Sequence, residues 1–138
     1  MKKFLLIIPF LIFNFLISSR SSAQCDTIAY VCGKHIISPY ISDGQQYRAL
    51  LLADQTAEFH ATFYGGGSYR IAACTGLKDG NLIFSVYDED RNLIFSNKDF
   101  KNSPYWDFKV TSTMDVILEA TLGGAQSGCA VVLIGFKQ

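Results

Sequence analysis

The 138-residue chain holds only two histidines, three prolines and one tryptophan, and its formal charge is zero. With His35 and His60 as its only imidazoles, it lacks both a Gly-x-Ser-x-Gly elbow and a His-Glu-x-x-His pair. A hydrolytic centre of those kinds is therefore excluded. Cys-x-x-Cys is missing as well, so the clustered thiolates of a structural zinc site are not there. No basic patch is available to release counterions from nucleic acid or to dock on anionic lipid. Beyond residue 23, no segment sustains a 3.6-residue apolar period with capping residues, and no helix is expected there.

The one long apolar stretch lies at the start. Lys2 and Lys3 precede an apolar run from Phe4 to Ile17, and small residues follow, with Ser21 and Ala23 placed as a signal peptidase requires. A spanning helix needs about 20 apolar residues, and this run is shorter and interrupted by Pro9 and Asn14. Residues 1–23 thus read as an export signal cut between Ala23 and Gln24. Lipid attachment at Cys25 is disfavoured because Gln24 stands where a lipoprotein signal has a small residue. The ending Ser-Ser-Ala-Gln resembles the signals of exported Bacteroidota proteins.

Loss of the signal removes Lys2, Lys3 and Arg20, leaving nine basic against twelve acidic residues. The mature protein is one slightly acidic domain, expected in the periplasm or secreted, with no membrane insertion after cleavage. All four cysteines, Cys25, Cys32, Cys74 and Cys129, remain in it, and an even count in an oxidising compartment points to two disulfides. Four cysteines allow three connectivities. The reading favoured here joins Cys25 to Cys32 as a local loop and Cys74 to Cys129 as a long staple. On the chain-entropy model the staple would contribute about 4 kcal/mol.

Residues 24–44 are read as an irregular, disulfide-tied arm, and 45–138 as the folded domain. Short strands are predicted at 46–52, 57–63, 68–74, 81–87, 92–96, 105–111, 115–121 and 129–136, rich in Tyr, Phe, Val, Ile and Thr. Several alternate: Phe59, Ala61 and Phe63 interleave with Glu58, His60 and Thr62, and Trp106, Phe108 and Val110 with Asp107, Lys109 and Thr111. Such a period of two buries one face and wets the other. The glycine triplet Gly65–Gly67, the pair Gly123-Gly124 and Asp/Asn clusters break the pattern between strands, and Asp88–Arg91 closes a hairpin. Eight short strands predict an all-β, antiparallel β-sandwich or jelly-roll-like fold.

The run GGGSYRIAACTG, then GNLIFSVYDEDRNLIFS, then YWDFKVTSTMDVILEA resembles small secreted bacterial sandwiches of the pre-peptidase C-terminal type. The resemblance spans roughly residues 45–136 and departs from the pattern at Arg91, where glycine is usual. It implies accessory, non-catalytic work beside another protein or a polysaccharide.

Three groups of residues invite a functional reading. Asp88-x-Asp90-x-Asn92 matches the opening of a calcium loop, but Leu93 and Asp99 occupy the positions where an EF-hand has glycine and glutamate. A hydrated turn is the plainer reading, with a weak calcium site as the alternative and no other metal or cofactor implied. Tyr105, Trp106 and Asp107 place aromatics beside a carboxylate at a strand start, as sugar-binding surfaces do. If Trp106 follows Phe108 inward, Tyr105 is exposed. Tyr64, beside Gly65–Gly67, is a second aromatic platform. The sequence therefore reads as a non-catalytic binding or interaction module for an unknown protein or polysaccharide. A carbohydrate-binding accessory domain is the alternative, and a small secreted enzyme a remoter one.

Overall fold

The computed structural model describes residues 20–76, 79–123 and 127–137, with side chains from residue 24 onward. The expected export signal, 1–23, lies outside the described residues except for the backbone of 20–23. Eight strands form two four-stranded antiparallel sheets. In chain order they are β1 (Ile41–Leu51), β2 (Thr56–Phe63), β3 (Ser68–Cys74), β4 (Leu82–Asp88), β5 (Leu93–Ser96), β6 (Tyr105–Lys109), β7 (Met114–Leu122) and β8 (Gly128–Lys137). One sheet runs β1-β8-β3-β6 and the other β2-β7-β4-β5. The molecule is a β-sandwich.

Alternation decides which side chains meet between the sheets. Ile71 and Ala73 of β3, Ala130, Val132 and Ile134 of β8, Phe84 and Val86 of β4, and Val116 and Leu118 of β7 are all buried in one cluster. Each large apolar side chain taken fully from water contributes about 1.5–3 kcal/mol. Trp106 and Phe108 of β6 join this core from its margin, and Trp106 stacks on Phe95 with ring centroids 4.8 Å apart. β8 is central in its sheet and apolar on both faces, because its outer face is covered too.

The cover is a helix, α1 (Arg20–Cys32), followed by a 3-10 turn at Gly33–His35. It corrects two expectations: residues 24–44 are not an irregular arm, and the chain beyond the signal is not free of helix. Cys25, Ile28, Ala29 and Cys32 recur at i, i+3, i+4 and i+7, which puts all four on one helical face. That face lies on Ala72, Cys74, Cys129, Val131 and Leu133, a second buried cluster outside the sandwich proper. Asp26 pairs with Arg48 of β1 beside it.

The disulfides follow from this docking. They join Cys25 to Cys129 and Cys32 to Cys74, so the favoured pairing of Cys25 with Cys32 and Cys74 with Cys129 is wrong. Seven helical residues rise about 10 Å, beyond the reach of a disulfide, so Cys25 and Cys32 cannot bond each other within the helix. Their sulfurs point instead at adjacent strands, where Cys74 is in register with Val131, two residues along β8 from Cys129. No described cysteine is free.

The expected hairpin at Asp88–Arg91 forms, with Asp88 N–H donating to the Asn92 carbonyl and Arg91 N–H to that of Asp88. Arg91 takes the left-handed conformation, φ 61°, at the position where the resembled pattern has glycine. Its guanidinium spans Glu58 and Glu119, which sit directly opposite each other on β2 and β7. A cation between two facing carboxylates removes a repulsion that would otherwise weaken that strand pair.

Candidate cleft at one end of the sandwich

A cleft of about 1090 Å³ opens where the Gly65–Gly67 loop meets the early part of β1, the end of β2, the start of β7 and the end of β8. Its floor is buried Phe63, stacked on Tyr69 at 4.5 Å. Its rim carries Tyr64, which is 65% exposed.

The rim is built rigidly. A Cβ on Gly65 would lie 2.9 Å from the Thr111 carbonyl oxygen and 3.0 Å from the Thr113 nitrogen, so only glycine lets the two loops approach this closely. Gly66, at φ +88°, makes the turn. The Gly65 N–H donates to the Thr113 hydroxyl, the Gly66 N–H to the Val110 carbonyl, and the Val110 N–H to the Gly67 carbonyl. The Tyr64 N–H donates to the Tyr69 hydroxyl at 2.9 Å. Tyr64 thus projects from a loop whose backbone is held on both sides. Opposite it, the Tyr47 hydroxyl donates to Gln45 at 2.7 Å and lies 3.3 Å from the His60 carbonyl. Burial first, and then the charge of Asp43, raise the Tyr47 phenol above its ordinary value, so it stays neutral.

Three carboxylates line the cleft: Asp43, Glu89 and Asp115. Asp43 accepts the Gln45 N–H and Asp115 the Thr62 hydroxyl, while no described residue bonds to Glu89. Among the described residues, no cation pairs with any of the three. A smaller adjoining hollow shares Glu89 and Asp115 and adds Asp88 and Asp90.

The other sequence candidates fall elsewhere. Trp106 packs against the core, while Tyr105 and Asp107 lie on the opposite face of β6. The Arg70 guanidinium sits 4.4 Å from the ring centroids of both Tyr40 and Tyr105 and makes a two-pronged bond to Asp107, at 2.7 and 2.9 Å. Its remaining nitrogen donates to the His35 carbonyl. The bonds from Arg70 hold the Asp107 carboxyl below the usual carboxylate range. Tyr105 is 37% exposed, yet Arg70 lies on its ring and the His35 ring stands 5.3 Å away. In the hairpin, the Asp88 carboxylate accepts the Asn92 N–H and side-chain amide at 2.8 and 2.9 Å. His60 contacts Glu58, and His35 contacts Asp79, well apart in the fold. The only His/Cys/Asp/Glu grouping of metal-ligating geometry among the described residues is His35, Cys74 and Asp79. Its sulfur is committed to a disulfide.

Sequence reasoning singled out Tyr64 from its glycines but missed Asp43, Glu89 and Asp115. These come from β1, the β4–β5 turn and β7, and only the topology brings them together.

Solved structures with a similar fold include two at low sequence identity. One is a periplasmic lysozyme inhibitor of g-type lysozyme from Aeromonas hydrophila, at 10% identity and a TM-score of 0.53, covering 70% of this chain and 91% of that one. The other is the pre-peptidase C-terminal domain of a Bacillus anthracis collagenase, at 12% identity and a TM-score of 0.51, covering 65% and 87%. The likeness read from the hairpin and its flanking strands therefore extends to the fold. No protein-family model matches the chain, and no curated protein matches its sequence.

Proposed function

We propose that the protein is an exported, non-catalytic binding module that holds a partner protein at the end cleft. The observation that carries this reading is Tyr64: a largely exposed aromatic on a hydrogen-bonded, glycine-fixed loop above a cleft of about 1090 Å³. Pre-organised aromatics supply contact area at low entropic cost, which is why they dominate binding surfaces. Two disulfides support a location in the periplasm or outside the cell. Among the described residues no helix is long and apolar enough to cross a membrane. The Aeromonas hydrophila protein, a periplasmic inhibitor of an enzyme, supports a protein partner for a sandwich of this shape. Against catalysis, His35 and His60 each face a carboxylate on separate surfaces, with no nucleophile between them among the described residues.

Photo-crosslinking in the source cells tests the reading. A benzophenone side chain at Tyr64 should give a discrete protein adduct that is missing when the same group replaces exposed Lys109 on β6. Equal adducts at both positions, or none at Tyr64, would reject the cleft as the contact surface. An adduct destroyed by glycosidases but not by proteases would replace the protein partner with a polysaccharide. Cell fractionation with N-terminal sequencing tests export, and a mature chain beginning at Gln24 is the expected result.

A further inference from the structure

Resting on the cleft as the binding surface, we infer that it receives a positively charged loop of its partner, with a lysine or arginine side chain entering between Tyr64 and the carboxylates of Asp43, Glu89 and Asp115.

Two features of the cleft specify that chemistry independently. The first is uncompensated charge. The cleft wall also includes His60 and Lys137, but neither meets these three acids. The His60 imidazole lies against Glu58 at 2.9 Å, and the Lys137 ammonium stands 5.2 Å from the centre of the Tyr40 ring. Arg91, the guanidinium of the adjoining hairpin, is held by Glu58 and Glu119. Asp88 and Asp90, around the adjoining hollow, add to the same sign. Carboxylates left without cations in a concave surface focus a negative potential and steer a cationic partner toward it.

The second feature is the aromatic lining. Tyr64 holds an exposed phenol ring at the rim, and Tyr47 and Tyr69, which pack against Phe59 and Phe63, line the wall; a cation is electrostatically favoured over such a ring face. A lysine or arginine stem would lie along these rings while its head reached Glu89 or Asp115. A neutral sugar would use the rings but leave the carboxylate charge unanswered. An anionic one would be repelled.

The test uses the oxidised, exported protein and a short cationic probe, hexa-arginine, with hexa-citrulline as its uncharged isostere. Amide shifts are followed by NMR at about 50 mM and about 300 mM salt, which brackets strong and weak electrostatics. Hexa-arginine should shift amides at 43–47, 60–69, 89–90 and 113–117, and the added salt should weaken it severalfold. Glu89→Gln should weaken binding about tenfold, as expected for losing one charge-assisted contact. Because Glu89 bonds to no described residue, that variant should melt like the parent. Tyr64→Ala should weaken binding as well, and Asp99→Asn, exposed on the turn after β5 and outside the cleft, should not. Equal binding of hexa-citrulline, shifts confined to other surfaces, or unaltered affinity of the Glu89→Gln protein would each overturn the proposal. If neutral oligosaccharides shift the cleft amides and hexa-arginine does not, the cleft stands as the binding surface and the cationic loop is refuted. If no probe shifts them and Tyr64 gives no crosslink, both readings fall.

Discussion

Asn97 is fully buried and uses each of its side-chain hydrogen-bonding groups on the backbone. Its carbonyl oxygen accepts the Phe84 N–H at 2.9 Å, and its amide donates to the Leu82 and Ser103 carbonyls, both at 2.9 Å. One side chain therefore ties β4 to the segment leading into β6. Asn97→Ala strands a buried N–H and two carbonyls and should cost about 2–3 kcal/mol, read as a lower urea midpoint at unchanged slope. Asn97→Asp should cost more, since a carboxylate repels both carbonyls. In the sequence this asparagine is only a polar residue after a strand, because nothing local distinguishes a turn asparagine from a buried one. Arg91 was legible as a departure from a glycine pattern but not as a bridge, since Glu58 lies far away in sequence. Arg91→Gly should leave the thermal melt close to the parent's. Relief of the left-handed backbone offsets the loss of exposed ion pairs and of the screening between facing Glu58 and Glu119.

Among the elements, the strands were readable and α1 was not. Alternation in β2 and β6, and apolarity on both faces of β8, follow directly from what each strand packs against, so the pattern survives without knowledge of partners. The helix is short, has no acidic residue in its first turn and no basic one in its last, and gains its stability from docking rather than from propensity. Its one signal was the spacing of Cys25, Ile28, Ala29 and Cys32, which reads equally as a small loop until a sheet lies beneath it. Because this helix has its own apolar cluster, the sandwich core does not depend on it. Replacing all four cysteines with serine should release the helix while the sheets persist. The expected readout is a retained β-type circular dichroism spectrum, new proteolytic cleavage near Tyr30, and dye binding over Val131 and Leu133. Each disulfide closes a long loop, 104 and 42 residues apart in sequence. On the entropy model, loss of the longer alone should cost about 5 kcal/mol and of the shorter about 4, and loss of both less than the sum, because the loops are nested.

At the scale of the molecule, acid should destabilise the fold in a definite way. Asp107 is held low by Arg70, Glu58 by Arg91 and then His60, and Asp88 by Asn92. For Asp79, burial works the other way but is outweighed by His35 and Lys34 together. An unfolded chain takes up protons near the ordinary values of 3.8 and 4.5, while the folded one does so only at lower pH. Stability from these groups is thus fully present above about pH 5 and lost as pH falls through their folded values. Melting temperature should decline below about pH 5, and less steeply for Asp107→Asn. All four are partly or fully solvated, so the slope should be modest. The connectivity of the cysteines carries a further consequence, for biogenesis. On the proposed route of export, a chain crossing a membrane from its N-terminus presents Cys25 and Cys32 first, and Cys129 after them. The native partner of Cys25 is thus the last thiol to emerge, and an oxidase acting on each thiol in turn would trap Cys25 with Cys32 before the helix forms. If the protein is exported as proposed, its maturation should call for a disulfide isomerase to shuffle that early product. Cells lacking one should accumulate the protein with an internal Cys25–Cys32 bridge, detectable by peptide mapping without reduction.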